Sequence, residues 1–133
     1  MTLKQIKHLV MFNTNNDIDD ISDFLPYLTQ FINEGYDRLT IVWDYKHVSS
    51  DSEEYPSLSR DGDEPALPEW THIALADWAT WRLYEVGNPQ KQQRGLQYRN
   101  SFLLVESRIK EQGGKEGEET GGKAPKNFTN IYP

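Results

Sequence analysis

The stretch EWTHIALADWATWRLYEV, residues 69–86, is apolar around almost its whole circumference when drawn as a helix. A helix that is apolar on one side packs on one neighbour, whereas apolar residues on both sides require burial on both. The pattern predicts a helix with two covered faces, and in a small helical protein the second cover could be another subunit. The main face carries Trp70, Ile73, Ala74, Trp81 and Tyr84, and the other carries Leu75, Ala79, Leu83 and Val86.

Aromatic rings of this helix are the predicted contacts between subunits. Buried aromatic side chains contribute a large share of interface energies, and four rings lie on or beside the two faces. The alternative is that these rings belong to the core of their own chain. The predicted interface residues are Trp70, Trp78, Trp81 and Tyr84.

One carboxylate, Asp77, falls in the middle of the main apolar face. A buried carboxylate without a partner is costly, because it loses its hydration and gains nothing in return. We therefore expect an ion pair between Asp77 and Arg82 or Arg99, or else a water-filled gap beside the carboxylate.

Two helices are predicted on the N-terminal side of this stretch. In residues 2–12, apolar residues recur at helical spacing. Residues 23–45 form a longer amphipathic pattern, with Asp23 as N-cap and Pro26 in the first turn, where proline is tolerated. Its apolar stripe comprises Leu25, Leu28, Ile32, Tyr36, Leu39 and Trp43.

A fourth helix is predicted over residues 89–112. Gly87 ends the preceding helix, Asn88 caps the new one and Pro89 takes its first position, and these residue types favour those positions. The glycine pair at 113–114 predicts the end of the helix. The apolar stripe comprises Gly95, Tyr98, Phe102, Val105 and Ile109.

Two glycines, Gly35 and Gly95, lie on or beside the apolar stripes of predicted helices. Glycine inside a helix costs about 1 kcal/mol relative to alanine. We therefore expect each of them to mark a place where another helix comes close.

A long polar connection, residues 46–68, separates the second helix from the third and is rich in Ser, Pro and acidic residues. The turn sequence RDGD at 60–63 could join two strands of a short β-hairpin. Loops of this length are often functional, and we expect this one to project from the helical body toward a neighbour or the tail side. The chain is thus predicted to be all-α, with a domain of about four helices at residues 1–112 and an extended C-terminal tail at residues 113–133.

The C-terminal tail is rich in Gly, Lys and Glu over residues 113–127, a composition typical of a flexible tether. Three large apolar residues follow: Phe128, Ile131 and Tyr132. Such a segment cannot form a core by itself and folds on a partner. We expect these three residues to anchor the tail, most simply as an edge strand added to a partner's sheet.

The composition excludes some classes of protein. A net charge of −7 over 133 residues disfavours tight DNA binding, which needs many Lys and Arg side chains on phosphates. The chain has no cysteine, so disulfides and thiolate metal sites are excluded. We find no signal peptide and no apolar run long enough to cross a membrane.

No pattern of catalytic or metal-binding residues emerges. His8, His47 and His72 lack the spacing of a zinc site. An EF-hand loop starting at Asp17 would need glycine where Ser22 stands. Phosphate-binding loops and nucleophile elbows are also missing. We therefore expect no enzyme, and we predict no catalytic, cofactor-binding or metal-binding residue.

Two segments together resemble a known family. FINEGYDRLTIVWD, residues 31–44, is similar to the first long helix of the head-to-tail adaptor (connector) proteins of tailed bacteriophages. LPEWTHIALADWATWRLYEVGNPQKQQRGLQYRNSFLLVESRI, residues 67–109, resembles their second half, in which an aromatic-rich helix, an Asn-Pro break and a closing helix follow each other. The resemblance covers roughly residues 17–112.

This resemblance implies a structural protein of the virion neck, at the head-to-tail junction, made in the host cytoplasm. Such adaptors form homo-oligomeric rings, usually dodecamers, between the portal protein and the tail or nozzle proteins. DNA passes through the ring during ejection without sequence-specific binding. A C-terminal extension commonly docks on the portal, which would be the partner of Phe128, Ile131 and Tyr132. The resemblance implies no cofactor and no membrane.

Two other functions stay open from the sequence. One is a small phage-encoded helical binding or inhibitor module, which would be a monomer or dimer. The other is an adaptor with cell-wall hydrolase activity, which would need a pair of acidic residues in a cleft. Sedimentation separates the first from a ring, and activity on peptidoglycan would identify the second.

Overall fold

The computed structural model describes residues 1–15, 22–46 and 55–118. Within these ranges the chain forms four α-helices, and no β-strand is present there. The predicted all-α class and small helical bundle are therefore confirmed. The elements are α1 (Leu3–Asn13), a 3-10 helix (Ser22–Tyr27), α2 (Leu28–Lys46), a second 3-10 helix (Glu69–Thr71), α3 (His72–Glu85) and α4 (Pro89–Glu118).

Three helix boundaries differ from the prediction by more than one residue. The third α-helix begins at His72 instead of residue 69, because Glu69–Thr71 is a 3-10 helix. The second α-helix begins at Leu28, because the preceding turn, Ser22–Tyr27, is a 3-10 helix that contains Pro26. Proline lacks an N–H donor and its ring clashes with the preceding turn of an α-helix. The last helix continues through the glycines at 113–114 to Glu118. Glycine lowers helix propensity but creates no steric clash, so a glycine pair need not end a helix.

Helix α3 lies at the centre of the bundle and contacts the other three helices. α1 runs parallel to it, since the Met1 amino group lies 2.8 Å from His72 Nδ1 and Asn13 Nδ2 donates to Thr80 Oγ1 at 3.1 Å. α2 and α4 cover the remaining sides of α3. Leu75, Ala79 and Leu83 are buried by their own chain, whereas Ile73 on the main face is 49 % exposed and Val86 is 48 % exposed. The burial of the core residues of α3 therefore does not require another subunit.

The helices α2 and α4 both run antiparallel to α3 and approach it at glycines. A Cβ atom added at Gly35 would lie 3.0 Å from Trp78 Cβ, and one added at Gly95 would lie 2.7 Å from Tyr84 Cβ. Both glycines are buried. The prediction that they mark close helix contacts is confirmed.

The hydrophobic core comes from the predicted apolar stripes of all four helices. Each fully buried Leu, Ile or Phe side chain stabilises the fold by roughly 1.5–3 kcal/mol before entropy is counted. The largest fully buried apolar side chains are Leu3, Ile6, Ile32, Tyr36, Leu39, Leu75, Leu83, Phe102 and Ile109.

The described part of the connection between α2 and α3, residues 55–68, packs on its own chain. Leu58 is buried, and its N–H and carbonyl groups both bond the Asn33 side chain at 2.9 Å. The Ala66 N–H group donates to the Tyr36 hydroxyl at 2.8 Å. The expected projection of this loop from the helical body is wrong for these residues, because its backbone groups bond side chains of α2. A contact of the loop with a neighbour or with the tail side stays a prediction.

The predicted turn in this loop is present, but no hairpin forms around it in the described residues. The Asp63 N–H donates to the Arg60 carbonyl at 3.0 Å, which closes the turn. Leu3 and Lys4 then donate their N–H groups to the carbonyls of Asp63 and Asp61, at 2.7 and 3.1 Å. The loop thus satisfies donors that the start of a helix leaves unpaired. The part of the loop before residue 55 lies outside the described residues.

Candidate interaction surface

An aromatic cluster lies where α2, α3 and α4 meet. Trp78 and Trp81 are neighbours on α3, with ring centroids 4.9 Å apart, and Trp78 lies 4.7 Å from the Phe102 ring of α4. Phe102 is fully buried, whereas the two tryptophans are half-buried. Aromatic pairs in such tilted arrangements add about 0.5–1.5 kcal/mol beyond the area they bury. The cluster therefore fixes α3 against α4 and leaves part of two indole rings at the surface.

An arginine covers this cluster and joins α2 to α4. The Arg38 guanidinium lies 5.2 Å from the Trp78 ring centroid and 5.5 Å from that of Phe102. Its Nε and Nη2 atoms donate to the two carboxylate oxygens of Glu106 at 2.8 and 3.0 Å. The hydrogen bond to Glu106 raises the pKa of Arg38. A bidentate bond to a nearly buried carboxylate is the strong form of this interaction.

A second arginine makes the same kind of contact between α3 and α2. The Arg82 guanidinium lies 4.5 Å from the Phe31 ring centroid, and its Nη1 donates to Glu34 at 3.3 Å. The indole N–H of Trp78 donates to the same Glu34 oxygen at 3.2 Å. Aromatic faces and carboxylates thus hold both guanidinium groups in place.

The four predicted interface residues all make contacts within their own chain. Tyr84 is 3 % exposed and stacks on Tyr98, with centroids 6.3 Å apart. The Trp70 ring lies 4.2 Å below the Arg108 guanidinium, and Trp70, Trp78 and Trp81 are half-buried. Tyr84 therefore has little surface left for another subunit. A subunit contact through the three tryptophans stays a prediction.

The expected ion pair of Asp77 with an arginine is wrong. Arg82 bonds Glu34 instead, and Arg99 lies over the Trp81 ring, 5.6 Å from its centroid. Within the described part of the chain, no hydrogen bond or ion pair reaches the Asp77 carboxylate. Burial raises the pKa of Asp77 to about 6. Asp77 is thus a half-buried titratable group without a protein partner among the described residues, and the expected water-filled gap beside it stays a prediction.

Between the C-terminal halves of α2 and α4 lies an apolar pocket of about 340 Å³, lined by Ile41, Val42, Tyr45 and Lys110. We call it the α2–α4 pocket. Ile41 is 71 % exposed and Tyr45 is 76 % exposed, although both are large apolar side chains. An exposed apolar cleft on a small protein is a common feature of binding sites.

A second pocket, of about 330 Å³, lies between α3 and the first turns of α4. Its lining residues are Trp81, Glu85, Gln92, Leu96 and Arg99. It exposes one edge of the aromatic cluster beside the guanidinium that lies over Trp81. Aromatic and arginine side chains are enriched at protein interfaces, so this pocket is the part of the predicted subunit contact with the most suitable chemistry.

Sequence reasoning missed Ile41 and Tyr45 as surface residues. Both lie outside the apolar stripe of the second helix, four residues apart, and residues at this spacing are neighbours on a helix surface. The presence of two large apolar residues on a helix face away from the core was the signal in the sequence that could have indicated an exposed apolar surface. The sequence could not show that these two residues lie beside Lys110, because that arrangement depends on how α2 packs on α4.

The remaining site predictions concern the tail and metal ions. Phe128, Ile131 and Tyr132, the predicted portal-docking residues, lie outside the described residues, so their role stays a prediction. In the described ranges, no group of three or more His, Cys, Asp or Glu side chains is placed to hold a metal ion. Nor does any helix in those ranges combine the length and apolar character needed to cross a membrane.

Comparison of the chain with protein-family models, with curated proteins and with solved structures finds no match.

Proposed function

We propose that this protein is a head-to-tail adaptor of a tailed bacteriophage, a structural protein of the virion neck. It would form a homo-oligomeric ring, usually of twelve subunits, between the portal protein and the tail or nozzle proteins. The proposal starts from the resemblance of residues 31–44 and 67–109 to such adaptors. The order of α2, α3, the break before Pro89 and α4 agrees with that resemblance.

The observation that carries the proposal is the placement of exposed apolar residues on different sides of the bundle. Phe12 on α1 is 77 % exposed, while Ile41 and Tyr45 lie on α2. α1 packs on the α3 face that includes Thr80, and α2 packs on the face that includes Trp78. Two different apolar surfaces of one subunit, one at Phe12 and one at Ile41 and Tyr45, suit a head-to-tail interface, which closes into a ring when the rotation permits.

The charge of the chain fits a passage for DNA. With a net charge of −7, a ring of such subunits would carry a large negative charge. Phosphate groups bind to Lys and Arg side chains with release of counterions, so an acidic lining would let DNA pass without being held.

Oligomeric state with paired variants tests this proposal. We expect Phe12→Glu and Ile41→Glu each to abolish the ring in sedimentation velocity, because each removes one of the two patches. In a mixture of the two variants, each molecule keeps one intact patch, so dimers should form but rings should not. Gln30→Glu, at an exposed polar position of α2, serves as the control and should leave the ring unchanged.

One result would contradict the adaptor function: a protein that stays monomeric at all concentrations and fails to bind the portal ring of the same virus. A ring that persists in both glutamate variants would leave the adaptor function standing but would show that the two patches do not form the interface.

A second candidate is a small helical binding or inhibitor module that acts as a monomer. One observation favours it: the side chains of Leu75, Leu83 and Tyr84 on α3 are buried by helices of the same chain. The core of the subunit is therefore complete without a neighbour. A monodisperse monomer in sedimentation, with no ring on the portal, would support this function over the adaptor.

A further inference from the structure

We propose that the α2–α4 pocket binds the apolar segment 128–132 of the same chain. This inference goes beyond the proposed function, in which the partner of that segment is the portal. The segment would occupy the pocket in the free subunit, before a neighbour in the ring covers Ile41 and Tyr45 and before the portal is present.

The pocket has the properties of a site for a short neutral peptide. Among the described residues, its lining is apolar apart from the Tyr45 hydroxyl and the Lys110 ammonium group. The aliphatic stem of Lys110 can cover apolar surface while its charged end stays in water. A volume of about 340 Å³ lies within the range of ligand sites. Ile41 and Tyr45 leave large apolar surfaces that a covering segment would remove from water.

The segment has matching chemistry. Its sequence, FTNIY, carries no charged side chain, so docking would not take a charge out of water. Phe128, Ile131 and Tyr132 follow a spacing of three and four residues, which places them on one face of a helical turn. Insertion of such a face into a groove between helices is a common mode of peptide recognition. A strand-adding mode would need a sheet edge, and the described ranges contain no strand.

The length of chain between pocket and segment favours binding within one molecule. α4 continues from Lys110 to Glu118, which at 1.5 Å per residue carries the chain about 12 Å past the pocket. Phe128 follows Glu118 by ten residues, and a flexible chain of that length would have a root-mean-square length of roughly 17 Å. The tether thus matches the return distance, and such a match gives an effective concentration in the millimolar range. A second copy would need a comparable protein concentration to compete.

Single pairs of introduced cysteines test the proposal in the full chain, which has no cysteine of its own. In Ile41→Cys/Asn130→Cys, one thiol lies at the pocket and the other at a polar position of the segment. The control pair is Leu104→Cys/Asn130→Cys. Leu104 is 72 % exposed, close to the 71 % of Ile41, but it lies about 120° around α4 from Lys110.

The readout is the effective concentration of the two thiols, obtained from disulfide exchange in glutathione buffers at low protein concentration. We expect the pocket pair to exceed the control pair by about tenfold or more, with the disulfide inside one molecule. Adding Phe128→Ser, Ile131→Ser and Tyr132→Ser to the pocket pair should reduce its value to that of the control.

Equal values for the two cysteine pairs would overturn the proposal, as would an excess that survives the triple serine change. A disulfide between two molecules would also overturn it, because the occupant would then be the segment of a second copy. These outcomes are measured on isolated subunits without the portal, so they are independent of whether the protein is an adaptor.

Discussion

Replacement of Asp77 with asparagine tests the electrostatics of the α3–α4 contact. Burial raises the pKa of this carboxyl from its ordinary 3.8 to about 6. The folded state therefore binds the proton more tightly than the unfolded state does. The stability that this proton contributes is fully present below about pH 4 and is lost as the pH rises through about 6. At pH 8, the natural protein therefore folds with a charged Asp77 carboxylate that no described residue pairs.

The size of the effect follows from the two pKa values. A difference of about two pH units, at 1.36 kcal/mol for each, gives a limit of about 3 kcal/mol. Because Asp77 is only half-buried, solvent screening lowers the expected effect to about 1–2 kcal/mol. Asparagine is neutral at every pH, so Asp77→Asn should be more stable than the natural protein by this amount at pH 8. The neighbouring Tyr98, whose pKa is raised by burial and then by the Asp77 charge, stays neutral over this range.

The assay is urea denaturation followed by tryptophan fluorescence at several values between pH 5 and pH 8. We expect the difference in the free energy of unfolding between the two proteins to shrink as the pH falls. Asp37→Asn, at an exposed position of α2, is the control for removal of a negative charge. A stability difference that is the same at pH 5 and pH 8 would refute the reasoning, because a change in packing alone does not titrate.

Three further predictions concern packing. Gly95→Ala should destabilise the fold by about 1–3 kcal/mol in thermal unfolding, since its Cβ would lie 2.7 Å from a side-chain carbon of α3; Gly62→Ala, which has open space around its Cβ, should have little effect. Glu106→Gln should lower the free energy of unfolding by about 1–3 kcal/mol. A double-mutant cycle with Arg38→Met should show coupling between the two sites, and additive losses would contradict a stabilising ion pair. Leu58→Ala should cost about 2–5 kcal/mol, and a loss below about 0.5 kcal/mol would mean that the loop is not part of the core.

Local signals were sufficient to predict the helices and the start of α4. The predicted cap at Asn88 is present, since its Oδ1 accepts the Lys91 N–H at 2.9 Å. The apolar stripes on the second and fourth predicted helices supply Ile32, Tyr36 and Phe102 to the core. These features depend on residues at most a few positions apart, and the helical repeat places such residues on one face.

The behaviour of the loop could not be predicted in the same way. Its polar composition suggested a projecting segment. In the described part, however, Leu58 lies in the core, and backbone N–H groups of the loop donate to the side chains of Asn33 and Tyr36. These partners lie on α2, far away in the sequence. A polar loop is free to project only when its backbone groups find no partners on the body, and composition carries no information about that.

The sequence by itself determined which segments are helical, which faces are apolar and where glycine lets two helices approach, because all three depend on local geometry and side-chain size. The tertiary structure decided what covers those faces. The two arginines predicted to pair with Asp77 contact other residues instead. Arg82 bonds Glu34, and Arg99 lies over the Trp81 ring. Periodicity specifies that a face is buried without specifying its partner, since the partner is chosen by competition among all surfaces of the folded chain.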